Sequence, residues 1–301
     1  MAVDELLILF NYLNCKTMIP NKFDYHRASS VDEAISLMAQ HGMDAKLLAG
    51  GHSLLPAMKL RLNQPGVLID IGRLDELRYI KKEGNELVIG AGATHDDIAH
   101  SAAARSTFSM LSEAADLIGD VQVRNKGTIG GSLAHADPAA DWPAVMLAAN
   151  AQIELRGPNG ARTVAAADFF TGFFMTALED NEIITAIRIA EPPKGTGSSY
   201  QKFMQPASRF AIVGCAAAVT VDGGVCQKVS IGFTGLADGA FRASNVEAAL
   251  TGKKPTEENI AAAAQLAGEG VMPMSDHFAS EEYRLHLARV YAARALTAAV
   301  R

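Results

Sequence analysis

The sequence predicts an α+β protein of two domains, the first of mixed α/β character and the second an antiparallel sheet packed with helices. The chain has 301 residues, which is ample for two domains of ordinary size. Up to residue 190, short apolar segments typical of strands are interspersed with helical patterns. After a linker rich in Pro and Gly at residues 192–197, three strand-like runs precede three helical runs, an order typical of a separate α+β domain.

Local signals predict the elements of the first domain, residues 18–190, which an extension at residues 1–17 precedes. Ser30 and Glu33 form a capping box, so a helix begins there, and Gly42 ends it. Residues 123–143, rich in Gly, Ala and Asp, lack a regular pattern. The other predicted helices are Thr94 to about Ala104, Met110–Ile118 and Ala144–Ala149. The predicted strands are Lys22–Tyr25, Lys46–Ala49, Val67–Ile71, Leu87–Ala91, Gln152–Arg156, Arg162–Val164 and Glu182–Ala190.

The second domain, residues 196–301, is predicted from a change of pattern after the linker. Asp222-Gly223-Gly224 predicts the turn of a hairpin, and Ser244 with Glu247 predicts a capped helix start. Its predicted strands are Ser199–Met204, Ile212–Val221 and Gln227–Thr234. Its later helices are predicted near Glu257–Ala267 and Ser280–Val300.

Composition and charge exclude several classes of protein. The formal net charge is −6 and no long basic run occurs, which argues against nucleic-acid binding. The longest apolar runs are too short to span a bilayer. Asp4 and Glu5 stand where a signal peptide requires positive charge. We therefore predict a cytoplasmic protein without a membrane span.

The three cysteines, Cys15, Cys215 and Cys226, are far apart in the chain. An odd number without a CxxC pair excludes a disulfide framework and a zinc ribbon. An iron–sulfur cluster held by this chain alone is excluded too, because such clusters normally need four ligands. We interpret these cysteines as small buried hydrophobic residues.

Two double-glycine segments are the most informative motifs. Gly50-Gly51 follows a predicted strand and precedes His52-Ser53, and Gly130-Gly131 lies between hydroxyl residues at 128 and 132. Paired glycines adopt positive φ without strain and can direct successive N–H groups toward one anion. Two such segments predict that the chain binds the two phosphates of one dinucleotide. The alternative for each pair is a tight turn without a ligand.

Other motifs of nucleotide or hydrolase sites are incomplete. Gly90-Ala91-Gly92 begins a G-x-G-x-x-G pattern, but His95 stands at the third glycine position. No G-x-x-x-x-G-K-[ST] occurs, which excludes a P-loop enzyme. Ser53 lacks the closing glycine of a nucleophile elbow. We find no convincing acid/base pair or nucleophile and predict no catalytic residue in this chain.

Two clusters combine histidine with carboxylates and are candidate metal ligands, His95-Asp96-Asp97 and His135-Ala136-Asp137. His95-Asp96-Asp97 is interpreted as a helix start, where the helix dipole favours acids, and neither cluster has the i, i+4 spacing of two ligands on one helix face. We predict no metal site. For His135 and Asp137, a role in lining a cofactor stays open.

The segments AGGHSLLPAMKLRL (49–62) and TIGGSLAHADPAAD (128–141) together resemble the FAD-binding medium subunit of the carbon monoxide dehydrogenase/xanthine dehydrogenase family of molybdenum hydroxylases. The resemblance extends over about residues 18–301, including LIDIGRL at 68–74, GAGATHDDIA at 90–99 and FAIVG at 210–214. It implies a PCMH-type FAD-binding domain of two α/β subdomains, followed by a C-terminal domain of the CO dehydrogenase flavoprotein type.

The resemblance also implies site residues. Asp141 stands at the position that contacts the adenosine part, Ile184 near adenine, and Lys202 at a basic position of its strand. Phe210 stands near the isoalloxazine, where relatives often have Tyr, so a ring remains and a hydroxyl is lost. The implied pyrophosphate contacts are Ala49, Gly50, Gly51, His52, Ser53, Thr128, Ile129, Gly130, Gly131 and Ser132.

The function implied by the resemblance is electron transfer in an oxidoreductase. The chain would bind FAD without a covalent bond and pass electrons from [2Fe-2S] clusters to an external acceptor. The clusters would belong to a small partner subunit and the molybdenum cofactor to a large one, in a doubled heterotrimer. The alternatives are a single-chain PCMH-type oxidase with a covalently attached flavin, and a scaffold protein without flavin.

Overall fold

The computed structural model describes residues 19–301, and the predicted extension at residues 1–17 lies outside them. Within residues 19–301, no helix has both the length and the apolarity needed to cross a membrane. The helices are α1 Val31–His41, α2 Leu54–Lys59, α3 His95–Ala99, α4 Ala102–Thr107, α5 Ser109–Leu117, α6 Val121–Arg124, α7 Ile129–His135, α8 Asp141–Ala148, α9 Ala166–Phe169, α10 Ser244–Leu250, α11 Glu257–Ala264 and α12 Glu281–Ala299. The strands are β1 Asp24–Arg27, β2 Ala45–Leu48, β3 Val67–Asp70, β4 Ile80–Glu83, β5 Glu86–Gly90, β6 Gln152–Gly157, β7 Gly160–Ala165, β8 Phe170–Gly172, β9 Met175–Thr176, β10 Ile183–Ala190, β11 Thr196–Met204, β12 Ala211–Asp222, β13 Val225–Thr234 and β14 Phe241–Arg242.

The first sheet is a small parallel one in the order β1-β3-β2. Helix α1 begins at the N-cap Ser30, whose side chain accepts a hydrogen bond from the Glu33 N–H, which is one half of the predicted capping box. The Glu33 carboxylate accepts from the Ser29 N–H at 2.7 Å instead of from the Ser30 N–H. Its buried residues Val31, Ala34 and Ile35 belong to the same core as the β3 residue Ile69. The carboxyl end of β2 leads directly into the first double-glycine segment and then into α2.

The second sheet is antiparallel, in the order β4-β5-β10-β6-β7. Its core includes Ile89 on β5, Ile187 on β10 and the chain's single tryptophan, Trp142, on α8. Every residue of α8, Asp141–Ala148, is buried. A helix that is buried all round must pack against protein on every side, so α8 is an internal element.

The third sheet forms the C-terminal domain, with antiparallel strands in the order β11-β12-β13-β14. The 19-residue helix α12 contributes Leu287, Ala292 and Leu296 to a second large core. Helix α8 contacts the same sheet, because a Cβ atom at Gly232 on β13 would collide with the Ala144 carbonyl oxygen on α8. The α/β part that precedes the linker and the C-terminal sheet therefore meet along α8.

Several sequence predictions of elements are corrected by the structure. Residues 123–143 were expected to be irregular, but they include the second half of α6, all of α7 and the start of α8. Asp120 and Thr128 cap α6 and α7 by accepting hydrogen bonds from the Val123 and Gly131 N–H groups. Such short helices escape a search for apolar periodicity, because they are shorter than the window that reveals it.

Two other predicted helices differ from those in the structure. The helix predicted from Thr94 to Ala104 is two helices, because Ser101 begins a new one by capping α4. Thr94 and Asp97 do form the capping box of α3. Helix α10 has no side-chain cap, and the Glu247 carboxylate instead accepts a hydrogen bond from the Ile231 N–H at 2.9 Å.

We expect Gly232→Ala to lower the free energy of unfolding by about 1–3 kcal/mol, the cost of overpacking a core. The new methyl group would meet a backbone carbonyl of α8 that has no room to move. Urea unfolding measures the change. Gly239→Ala is the matched control, because nothing lies within 4 Å of a Cβ atom there, and we expect it to stay within about 0.5 kcal/mol of the original chain. Equal effects of the two substitutions would contradict the tight contact.

Candidate functional site

The first double-glycine segment connects β2 to α2 through residues 49–53. Gly51 has φ +75°, a left-handed conformation that favours glycine, and its carbonyl accepts a hydrogen bond from the Leu55 N–H at 3.0 Å. His52 and Ser53 are exposed, and His52 Nδ1 lies 2.9 Å from the Gly50 carbonyl oxygen. The segment is therefore a tight loop with exposed polar side chains, at the carboxyl end of a parallel strand.

The second double-glycine segment is the first turn of α7, not a loop. Neither Gly130 nor Gly131 has a positive φ, so the expected left-handed nest is wrong for this segment. The N–H groups of residues 129, 130 and 131 already donate to Ala93 O, Ala91 O and Thr128 Oγ1. An anion here would meet the positive end of the helix and the hydroxyl groups of Thr128 and Ser132 rather than a ring of free N–H groups.

The two glycines of this turn serve different purposes. Gly130 is buried, and a Cβ atom on it would lie 2.8 Å from the Ala91 carbonyl oxygen, so glycine permits close packing against the end of β5. Gly131 is exposed, and a Cβ atom there would lie 2.9 Å from Thr128 Oγ1, with no other contact within 4 Å among residues 19–301 beyond its own helix backbone and its two chain neighbours. Gly131 therefore leaves an open surface beside Ser132, where a ligand can approach the backbone.

The structure brings the two segments together. A Cβ atom at Gly50 would collide with the Lys126 carbonyl oxygen and lie 2.8 Å from the Gly127 Cα atom, so the first loop lies against the chain that enters the second segment. Two segments about eighty residues apart in the sequence thus form one surface. This juxtaposition is the feature expected of a site that holds a dinucleotide from two sides.

The buried residue His95 connects the chain before the second glycine segment to α8. Its N–H donates to the Gly127 carbonyl at 3.0 Å, and its Nδ1 accepts a hydrogen bond from Trp142 Nε1 at 3.1 Å. Gly127 leaves room for the ring, because a Cβ atom there would lie 2.7 Å from Nε2. Burial, with smaller contributions from the charges of His52 and Arg124, lowers the pKa of His95 to about 3. Sequence reasoning interpreted this residue only as part of a helix start, and no local pattern indicates its contact with Trp142.

Asp141 and Lys202 lie together in the interior. The Lys202 ammonium is 2.9 Å from Asp141 Oδ1 and 3.0 Å from Oδ2, and the Tyr200 hydroxyl donates to the same carboxylate. Burial raises the pKa of Asp141, and the charge of Lys202 opposes that shift. Asp141 is 4% exposed and the Lys202 side chain is fully buried, so this geometry does not support the expected direct contact of either residue with the cofactor.

The remaining predicted positions are dispersed. Ile184 is buried on β10, at the register position opposite Leu155. Phe210 is 44% exposed on the turn between β11 and β12. His135, at the end of α7, contacts the Phe174 ring with 5.1 Å between centroids. Within residues 19–301, no group of three or more His, Cys, Asp or Glu residues is placed to hold a metal ion.

One cavity of about 370 Å³ is lined by residues outside the two glycine segments. It is lined by residues 78–80, Ala93, Asp97 and Ser101, and its wall includes the ion pair between Arg78 and Asp97 at 3.1 Å. Neither double-glycine segment contributes to it. The candidate site is therefore defined by the geometry of the glycine segments and not by this cavity.

The buried neutral His95 generates a pH prediction. Below about pH 6.5 the unfolded chain binds a proton at this histidine and the folded chain does not, so stability falls as the pH falls. From pH 7 to 5.5 we expect the unfolding free energy to fall by about 1 kcal/mol more in the original chain than in His95→Gln. Urea unfolding at both pH values measures this. The control His100→Gln, at an exposed histidine, should match the original chain, and a His95→Gln slope equal to the original would contradict the assignment.

Comparisons with known proteins agree with this architecture. Residues 21–192 match the model of the FAD binding domain in molybdopterin dehydrogenase. Residues 198–299 match the model of the CO dehydrogenase flavoprotein C-terminal domain. The first match contains both double-glycine segments and α8, which packs against the sheet of the second match.

The chain is also similar to individual proteins over almost its whole length. It is 45% identical to the carbon monoxide dehydrogenase medium chain of Hydrogenophaga pseudoflava, covering 94% of this chain and 98% of that one. It is 36% identical to the glyceraldehyde dehydrogenase medium chain of Sulfolobus acidocaldarius, covering 92% and 98%. A solved structure of carbon monoxide dehydrogenase from Hydrogenophaga pseudoflava superposes with a TM-score of 0.91 at 47% identity, covering 94% and 98%. The chain belongs to the family of FAD-binding medium subunits of carbon monoxide dehydrogenase and xanthine dehydrogenase type oxidoreductases.

Proposed function

We propose that this chain is the electron-transfer subunit of a molybdenum hydroxylase, receiving electrons from [2Fe-2S] clusters and passing them to an external acceptor. The observation that carries the proposal is the contact between the two double-glycine segments inside an FAD-binding domain. FAD supplies the redox chemistry, since a flavin exchanges electrons singly or in pairs. The protein's task is to bind and orient it.

The residues at the glycine surface fit a pyrophosphate. Gly131 leaves open space beside the backbone, and Thr128 and Ser132 carry hydroxyl groups that can donate to an anion. Gly50, in the other segment, lies against Lys126 and Gly127, directly before Thr128. In this proposal residues 49–53 and 128–132 hold the pyrophosphate, Ile184 lies near the adenine, and Phe210 lies near the isoalloxazine.

Attachment of the flavin without a covalent bond is part of the proposal. Cys215 and Cys226 are buried in β12 and β13, and burial raises the pKa of both thiols. A thiol of that kind is a poor nucleophile, because the thiolate is the reactive form. The site offers hydrogen bonds and a helix terminus for non-covalent binding. Free thiols are also typical of proteins in the cytoplasm, where we place the complex.

The proposed partners are a small subunit that carries the [2Fe-2S] clusters and a large subunit that carries the molybdenum cofactor, assembled as a doubled heterotrimer. Support comes from the names of the relatives, which are medium chains of larger enzymes. Those names include carbon monoxide and glyceraldehyde dehydrogenases, so similar medium chains serve different substrates. Substrate recognition is therefore assigned to the large partner, and this chain needs no acid/base pair.

The first test of the site is Gly131→Ala. A methyl group there points to the open surface, so we expect FAD affinity to fall at least tenfold. The methyl group would also lie 2.9 Å from Thr128 Oγ1, the N-cap acceptor of α7, so the free energy of unfolding should fall by about 1 kcal/mol, the scale of an N-cap hydrogen bond. FAD titration and urea unfolding measure the two effects. Gly239→Ala serves as the control with unchanged FAD affinity, and full FAD retention by Gly131→Ala would contradict the pyrophosphate assignment.

The second test concerns the relay. The isolated chain loaded with FAD should be bleached by dithionite but not by carbon monoxide or glyceraldehyde, because it lacks a site for substrate chemistry. After coexpression with an iron–sulfur chain and a molybdenum chain, the three should copurify, and the substrate of the complex should bleach the flavin during turnover. Absorbance near 450 nm follows both reactions, at the flavin band. Bleaching of the isolated chain by either substrate would instead favour a single-chain oxidase.

A further inference from the structure

His95 presents a hydrogen-bond donor for which the folded chain supplies no acceptor. Its Nδ1 accepts from Trp142 Nε1 at 3.1 Å, and an indole N–H can only donate. Burial keeps the ring neutral by lowering its pKa to about 3, so the single ring proton is on Nε2. No residue in the described range 19–301 accepts that proton. Polar groups in the interior normally have a partner, so the fold alone does not explain this donor.

The Nε2 atom is not enclosed by protein. Two side-chain nitrogens are fully enclosed without a partner in the part of the chain that the structure describes, His41 Nε2 and Arg284 Nε. His95 Nε2 is not one of them, so this atom reaches an opening although the residue as a whole is only 5% exposed. The donor is therefore placed to meet an acceptor that comes from outside the chain.

His95 Nε2 lies where the two double-glycine segments meet. A Cβ atom at Gly127 would lie 2.7 Å from Nε2, and the Gly127 Cα atom lies 2.8 Å from the place of a Cβ atom at Gly50. Gly127 thus contacts Nε2 and the first segment at once, which a residue with a side chain could not do. His52 of the first segment is close enough for its charge to contribute to the low pKa of His95.

A backbone pairing fixes His95 beside the second segment. Thr94 and Thr128, the N-caps of α3 and α7, form an isolated antiparallel β-bridge. The His95 N–H also donates to the Gly127 carbonyl at 3.0 Å. The two helices therefore begin side by side, and His95 is held next to the turn that carries Thr128 and Gly131, two of the residues proposed to bind the pyrophosphate.

Resting on the proposed function, we propose that His95 is a further binding residue for FAD, whose Nε2–H donates a hydrogen bond to a phosphate oxygen of the pyrophosphate. A neutral donor suits this place, because it brings no positive charge that the interior would have to neutralise. Trp142, the single tryptophan of the chain, decides which ring nitrogen donates. Indole, imidazole and phosphate would form a chain of hydrogen bonds in which each bond polarises the next.

Two substitutions of His95 separate the hydrogen bond from packing. His95→Leu keeps a side chain of similar size and removes the donor, so FAD affinity should fall about ten- to hundredfold, the range of a hydrogen bond to a charged group. His95→Gln keeps an acceptor for Trp142 and a donor for the phosphate, so its FAD affinity should stay within about fivefold of the original. Equal losses in the two variants, or no loss in His95→Leu, would overturn the inference.

The matched control is His100→Leu, the same substitution at an exposed histidine that directly follows α3. It should leave FAD affinity unchanged, because this side chain lies outside the surface formed by the glycine segments. FAD titration gives the affinities of all variants. Urea unfolding without FAD shows whether each variant is folded, and only folded variants are compared.

ADP locates the contact on the ligand, because it contains two linked phosphates and no flavin. In competition with FAD, ADP should bind His95→Leu more weakly than the original chain by the same factor as FAD does. An ADP affinity that is equal in both chains would overturn the inference. ADP that does not compete with FAD in the original chain would overturn it too, since the phosphates would then contribute no affinity of their own.

NMR of the histidine side chains separates direct contact from structural support. When FAD binds the original chain, the Nε2–H resonance of His95 should move downfield and its exchange with water should slow, because the proton enters a hydrogen bond to an anion. A role in packing alone would leave both unchanged, and that result would overturn the inference. Failure of the original chain to bind FAD would instead contradict the proposed function, so the two outcomes are distinguishable.

Discussion

The packing of α8 between the two parts of the fold is the constraint on which the other features depend. Every residue of this helix is buried, and its Ala144 carbonyl lies so close to β13 that only glycine fits at position 232. Its first residue, Asp141, carries a charge into the interior, where an unpaired carboxylate would be very costly. Lys202 and Tyr200 on β11 supply the partners, so the C-terminal sheet can dock in one register only.

The same contacts determine the geometry of the surface that we propose for the flavin. The chain runs from α6 through the Thr128-capped turn of α7 and into α8, and each end of this stretch is tied to the C-terminal domain. Trp142 on α8 donates to His95, which in turn supports the turn before Thr128. Domain docking and the proposed cofactor binding therefore use one continuous segment. A substitution at the domain interface should thus alter the position of the residues proposed to bind the cofactor.

This arrangement suits a subunit that transfers electrons rather than one that transforms a substrate. A relay needs its cofactor held in a fixed position, because the distance to the neighbouring redox centre decides whether electrons pass. Rigid packing, a buried neutral histidine and a buried ion pair meet that need, whereas a catalytic site would need a titratable group near neutral pH.

The sequence by itself determined the domain order, most strands, the helix caps at Ser30 and Thr94, and the two glycine segments, because these depend on local backbone preferences and short-range periodicity. Only the tertiary structure decided that Gly130-Gly131 is helical, since the cap of a seven-residue helix and its contact with Ala91 are not periodic signals. It also decided the places of Asp141 and Lys202. A sequence shows that a residue is charged, but burial and partners arise from packing between segments about sixty residues apart.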